Sequence, residues 1–282
     1  MNTLAKALTL STLLLGSMSA IHATVIFSED FEEYTAGSEI AAGSGLNWLE
    51  VKPRGTGTNT MTFDAEEDTS HLFSTEYNQY GLMFANAVTV NNAVRSNVFS
   101  SGTLSGQMSF TFYDPSSATH SGDGWSLRIS NASAGNGATA FGIFIKNGGL
   151  YLSYSTDVAC SATPFASYDM DAANELVIVF NNQNTSMTYS GGTIVAGSMD
   201  IYLNGVLVGD DLGKAGGVPV GENIRSFNFT DKTSTAFSGT LYLDDIIVDD
   251  SISIPELSES SLFMGIIPLV LLAFRRRQNK RS

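Results

Sequence analysis

Two dipeptides, Asn147-Gly148 and Asn204-Gly205, constrain this chain more than any other feature. Asn-Gly tolerates the positive φ angles of a two-residue hairpin turn, so each dipeptide folds its flanking runs back on one another as antiparallel strands. Phe141, Ile143 and Ile145 share one face before the first turn, and Leu150-Tyr151-Leu152-Ser153-Tyr154 follows it. Asp200-Ile201-Tyr202-Leu203 and Val206-Leu207-Val208 flank the second. Alternation recurs at Met108, Phe110 and Phe112, a strand ended by Asp114-Pro115, and again at Phe227 and Phe229. Leu176 to Phe180 is a continuous apolar run, as expected of a strand covered on both faces, and Leu241 to Val248 reads as a last strand. Helical periodicity is nearly absent between the two ends of the chain. About a dozen strands with Gly, Asn and Ser turns predict an all-β fold, an antiparallel β-sandwich.

The two ends carry different signals. Met1 to Lys6 is a basic segment, Ala7 to Gly16 an apolar core and Ser17 to Ala23 a small-residue region, the pattern of a secretory signal peptide with cleavage after Ala23 or Ala20. At the other end, Ile254-Pro255-Glu256 precedes a polar spacer and an apolar run from Leu262 to Phe274. The basic tail Arg275-Arg276-Arg277-Gln278-Asn279-Lys280-Arg281 closes the chain and resists translocation. The apolar run has 13 residues, against the ~20 a helix needs to span a bilayer, and it contains Pro268, so the physical reading is a marginal anchor. Pro255-Glu256, one hydrophobic segment and Arg275, Arg276 and Arg277 together resemble the PEP-CTERM sorting signal of Gram-negative bacteria. That resemblance implies transient retention in the inner membrane and release by an exosortase-type peptidase. Leu257 departs from the pattern, in which a second proline usually follows the glutamate.

The division is therefore 1–23 signal peptide, 24–253 sandwich body, and 254–282 membrane and sorting segment. The body's 230 residues suit one large all-β domain and can bury a core without disulfides. Its lone cysteine, Cys160, reads as a small apolar filler. The body keeps 26 of the 28 acidic residues and 8 of the 14 basic ones, a formal charge of −18. Such a surface repels phosphates, which argues against nucleic acid as a partner and suits divalent cations and neutral polysaccharides.

The order of the pieces resembles the concanavalin A-like lectin/glucanase jelly roll, especially its laminin-G-like branch. The resemblance rests on Glu175 to Asn181 followed by Ile201-Tyr202-Leu203-Asn204-Gly205-Val206-Leu207-Val208. The opening Glu29-Asp30-Phe31-Glu32-Glu33-Tyr34-Thr35-Ala36-Gly37 and the closing Leu243-Asp244-Asp245-Ile246-Ile247-Val248 resemble the ends of exported sugar-binding sandwiches. In several such families carboxylates of the first and last strands hold a structural calcium, which here nominates Asp30, Glu32 and Asp245 as hard oxygen ligands for Ca2+. Acidic residues facing water are the alternative reading. Legume-type lectins place an Asp-Gly pair and an aromatic residue at the sugar, which nominates Asp123 as a hydroxyl acceptor and Trp125 as a stacking face. The alternative is a turn at Gly122-Asp123-Gly124 with Trp125 in the core.

Catalytic signatures are missing. No Glu-x-Asp-x-x-Glu strand, Gly-x-Ser-x-Gly elbow, His-Glu-x-x-His helix or phosphate-binding loop occurs, and no catalytic residue is nominated. Glu66-Glu67-Asp68 reads as a solvated loop, and Tyr151 with Tyr154 as a stacking platform or as ordinary strand packing. The expectation is an exported, non-catalytic jelly-roll protein of the cell envelope or extracellular matrix that binds polysaccharide or exopolysaccharide. A structural matrix protein without a specific glycan, or a hydrolase or lyase with an unfamiliar site, are the alternatives.

Overall fold

A computed structural model describes residues 24–43, 45–51, 61–75, 78–88, 92–132, 135–231 and 236–253. The signal segment 1–23 and the whole sorting segment 254–282 lie outside the described residues, including Pro255, Glu256, Arg275, Arg276 and Arg277. Among the described residues no helix is long and apolar enough to cross a membrane.

The alternating runs become two antiparallel sheets. The first runs β16 (Val206–Gly213), β15 (Ser198–Leu203), β12 (Ala173–Asn181), β7 (Ser105–Tyr113), β18 (Phe237–Asp249), β5 (Gln79–Val88), β4 (Met61–Glu67) and β2 (Ser38–Glu39), and β1 (Val25–Glu29) also pairs with β18. The second runs β11 (Ala159–Ser167), β10 (Gly149–Tyr154), β9 (Thr139–Lys146), β8 (Trp125–Ser130), β17 (Ser226–Asp231), β6 (Ala93–Ser96) and β3 (Trp48–Val51). A separate hairpin, β13 (Met187–Tyr189) and β14 (Gly192–Ile194), packs on the outside of the first sheet beside Val177, Val179 and Tyr202.

Both Asn-Gly turns form as expected. Asn147 and Gly148 have φ of 46° and 80°, Asn204 and Gly205 of 50° and 76°, and they join β9 to β10 and β15 to β16. The core lies between the sheets, where rings from opposite sides interlock. Phe110 meets Phe229 at 5.6 Å, Trp48 meets Phe63 at 5.0 Å and Phe141 meets Phe180 at 6.1 Å. Aromatic pairs of this kind add to the burial of apolar area that stabilises the sandwich.

The strand expected over Leu241 to Val248 is longer and broken. β18 spans 13 residues, pairing with β5 through its first half and β1 through its second. Between Asp244 and Ile247 its register against β7 slips, with Asp245 at φ 50°, a bulge that re-aims side chains at that point. Glu66 and Glu67 belong to β4, and Asp68 is buried, its carboxylate accepting from the backbone N–H of Leu72 and Phe73 at 2.7 and 2.9 Å. That segment is therefore an anchored turn, a correction to the solvated-loop reading. Cys160 is only half-buried, in β11 at the sheet's edge, and does not fill the core.

Candidate functional site

Leu127 and Ile129 of β8, Phe227 and Phe229 of β17 and Phe141, Ile143 and Ile145 of β9 all enter the core. Strand alternation sends the residues between them to the opposite, outward face of the second sheet. In β8, β17 and β6 those residues are polar, Ser126, Arg128 and Ser130, then Ser226, Asn228 and Thr230, then Arg95, while β9 contributes Gly142 and the buried Phe144. Register aligns Arg95 with Asn228, Asn228 with Arg128, and Arg128 with Gly142 of β9, so one row crosses four strands. A Cβ on Gly142 would lie 3.1 Å from that of Ser153, which extends the row into β10.

Although it faces away from the core, this row is closely covered. Arg128 is 4% exposed, and Asn228, Ser153 and Ser226 are fully buried. The Arg128 Nη1 donates to Asn136 Oδ1 at 3.0 Å and its Nε to Ser126 Oγ at 3.3 Å. Asn136 in turn donates to the carbonyl of Asp157 at 3.0 Å, so two loops lean over one end of the row. Burial pulls the Arg128 guanidinium down to about 10, still protonated at neutral pH. At the other end Arg95 pairs with Glu50 at 3.4 Å and donates to the carbonyl of Ala132 at 3.0 Å. Four oxygens here are buried without a hydrogen-bond partner: Ser153 Oγ, Ser226 Oγ, Asn228 Oδ1 and Thr230 Oγ1. Leaving such a group unpaired costs about 1–3 kcal/mol, so a row of them is a feature that a ligand or water would relieve. Sequence reasoning missed this row; its only signal was the polar half of two short alternations.

The Asp123–Trp125 pair is not brought to any such surface. Gly122 and Gly124 take φ of 61° and 80° around Asp123, which is the turn. Trp125 is 0% exposed and its ring meets Phe237 edge-on at 4.9 Å within the core. Its face is closed to a sugar, which corrects the stacking role. Alternation also separates Tyr151 and Tyr154, three residues apart in β10, onto opposite sides, so they form no common platform.

Asp30, Glu32 and Asp245 lie near enough to a fourth carboxylate, Asp244, to act on its charge, but they do not come together at metal-ligand spacing. Asp244 is 2% exposed and accepts hydrogen bonds from Asn78 Nδ2 at 2.8 Å and from the Asp245 N–H at 2.9 Å. Burial, then the charges of Asp245, Glu32 and Asp30, push its carboxyl up to about 7. Burial and Asp30 push Asp245 up as well. Glu32 is fixed by the N–H of Gln79, which donates to its Oε1 at 2.7 Å. The buried amide oxygens of Asn78 and Gln79 beside this cluster have no partner. Like charges raising one another's pKa are what a cation would relieve, and the donor set is all oxygen, as calcium prefers.

Among the described residues, the set of three carboxylates at metal-ligand spacing lies elsewhere. Asp200, Asp210 and Asp211 each bring an oxygen within 4.8 Å of the others, an arrangement that in principle can bind a metal. There, however, Asp200 already accepts from the Tyr189 hydroxyl at 2.6 Å and the Asp211 N–H at 2.8 Å, and Asp211 from the Val195 N–H at 2.7 Å.

No protein-family model matches the chain, and no curated protein matches it. Solved structures with some likeness include a cellulose-induced protein, with a TM-score of 0.47 and 13% identity over 80% of this chain and 97% of that one. A carbohydrate esterase from the Shiga toxin-encoding bacteriophage phi24B gives 0.45 and 13% over 82% and 100%. An alginate lyase in complex with an alginate tetrasaccharide gives 0.42 and 11% over 82% and 98%. At this level of likeness no activity carries over from any of them.

Proposed function

We propose that this chain is an exported, carbohydrate-binding β-sandwich of the concanavalin A-like kind, and that its site is the outward face of the second sheet. The observation that carries the reading is the row of buried polar side chains with four unpartnered oxygens. Sugar hydroxyls both donate and accept and so complement Asn228 Oδ1 and the Ser153, Ser226 and Thr230 hydroxyls, which are buried beneath the loops bearing Asn136 and Asp157 and are reached only when those loops give way. Tyr151 lies half-buried on the same face, at its margin. The 1–23 segment exports the chain; the 254–282 tail holds it in the inner membrane until an exosortase-type peptidase releases it to the envelope or matrix. A structural Ca2+ among Asp30, Glu32, Asp244 and Asp245 would pin the start of the body to its last strand.

The test is retention of the purified protein on a panel of bacterial and algal polysaccharides. Saturable binding to one glycan, recovered intact and weakened by Asn228→Ala but not by Asp123→Ala, supports a non-catalytic lectin-like module. New reducing ends or unsaturated products would instead make it a hydrolase or lyase. No retention at all leaves a structural matrix protein.

A further inference from the structure

Among the described residues ten other than glycine take a positive φ, and Val158 is the one β-branched side chain among them. Its φ of 53° is left-handed, where a branched Cβ crowds the backbone, so the surrounding fold holds Val158 in a strained conformation. Val158 closes the 155–158 turn between β10 and β11, and Ser155, which opens that turn, has a φ of 62°. Residues 154–157 are exposed, whereas Val158 is fully buried and yet belongs to neither apolar cluster of the sandwich. Two residues before the turn, Ser153 keeps its unpartnered hydroxyl buried in the polar row. One amide fastens the turn to that row. Asn136 Nδ2 donates to the Asp157 carbonyl and Asn136 Oδ1 accepts from Arg128 Nη1, both at 3.0 Å. From another side the Gly216 N–H donates to the Ser155 carbonyl at 2.7 Å.

Resting on the carbohydrate reading above, we infer that the 155–158 turn is a gate over the polar row, latched by the Asn136 side chain and biased towards release by the left-handed Val158. Swinging the turn outward breaks the Asn136–Asp157 and Gly216–Ser155 hydrogen bonds and moves one buried side chain, Val158, out of its seat. It leaves the core clusters untouched, and it lets Val158 and Ser155 relax to ordinary φ, which offsets part of the loss. Exposed turns with few apolar contacts are where proteins open locally without unfolding as a whole. Only the open form presents Ser153 and its neighbours in the row to a sugar. The observed affinity is then the intrinsic one reduced by the open fraction, so weakening the latch strengthens binding instead of impairing it. A turn that merely stabilises the sheet would behave in the opposite way.

Thiol trapping in the purified full chain measures the opening without a glycan. Cys160→Ser removes the single cysteine, and Ser153→Cys then places one thiol in the row, read by its reaction rate with dithiobis(nitrobenzoate). Expected is labelling about ten-fold or more faster than global unfolding permits, with little dependence on urea, and a further rise of about five- to ten-fold on adding Asn136→Ala. Labelling only at the pace of global unfolding overturns the gate. So does labelling as fast as an unfolded thiol, and so does a rate that Asn136→Ala leaves unchanged. Amide hydrogen exchange in the unsubstituted protein guards against a misfolded variant. The Val158 and Gly216 amides should exchange about ten-fold or more faster than those of β8, and exchange in step with β8 overturns the inference. The polysaccharide panel separates the two readings. Glycan binding by a protein whose row stays sealed overturns the gate and leaves carbohydrate binding standing, whereas a working gate with no glycan retained removes the carbohydrate reading itself.

Discussion

Replacing Asp244 with asparagine removes a charge that the folded protein holds at a cost. Its carboxyl rises from 3.8 to about 7, roughly three pKa units at about 1.4 kcal/mol each, or about 4 kcal/mol. Neighbouring Asp30, Glu32 and Asp245 are exposed to solvent, and screening reduces the usable figure to roughly 2 kcal/mol. Because the folded-state pKa is the higher one, the folded protein holds its proton where the unfolded chain has lost it. Asp244 therefore contributes stability that is complete below about pH 4 and is lost as pH rises through about 7. Asp244→Asn stays neutral throughout, and its amide can donate to the unpartnered Asn78 Oδ1. In EDTA, the variant should melt roughly 4–8 °C above the parent at about pH 8, with the gap closing towards about pH 4. Thermal unfolding followed by circular dichroism across that range measures it. A variant that melts no higher at the alkaline end, or a gap independent of pH, would refute the reasoning.

Calcium should raise the melting temperature of the parent, by about 2.7 kcal/mol of stabilisation at a hundred-fold excess over its dissociation constant, and Asp245→Asn should abolish the rise; an unchanged parent rejects the ion. Glu29→Gln should cost about 2–3 kcal/mol, since that carboxylate accepts from the Phe31 N–H, the Tyr34 hydroxyl, Asn47 Nδ2 and Trp48 Nε1 at 2.8–3.1 Å, and an amide would turn donors against donors. Urea unfolding monitored by tryptophan fluorescence reads that loss. Gly106→Ala should destabilise by about 1–3 kcal/mol or more, because its Cβ would lie 2.2 Å from the Asp249 carbonyl within the β7–β18 ladder; a urea midpoint equal to the parent's would contradict it.

The sequence by itself determined what depends on near neighbours. Alternation at Met108, Phe110 and Phe112 and at Phe227 and Phe229 marks strands because side chains along a strand repeat every second residue. Asn147-Gly148 and Asn204-Gly205 mark hairpins because few other residues tolerate both positive φ angles. Asp30, Glu32 and Asp245 were legible as a group through a resemblance at the two ends of the body, while buried Asp244, their hub, was passed over beside its exposed neighbour. Tertiary structure alone decided which residues share a surface. Arg95, Arg128 and Asn228 lie far apart in the chain and meet only because β6, β17 and β8 are adjacent in an order the sequence does not display. Trp125, with the same local pattern as a ligand-facing ring, turned inward because the facing sheet offered Phe237. The net charge was readable from composition, but which residues face outward was not, since alternation defines two sides of a strand and only packing against the other sheet makes one of them the core.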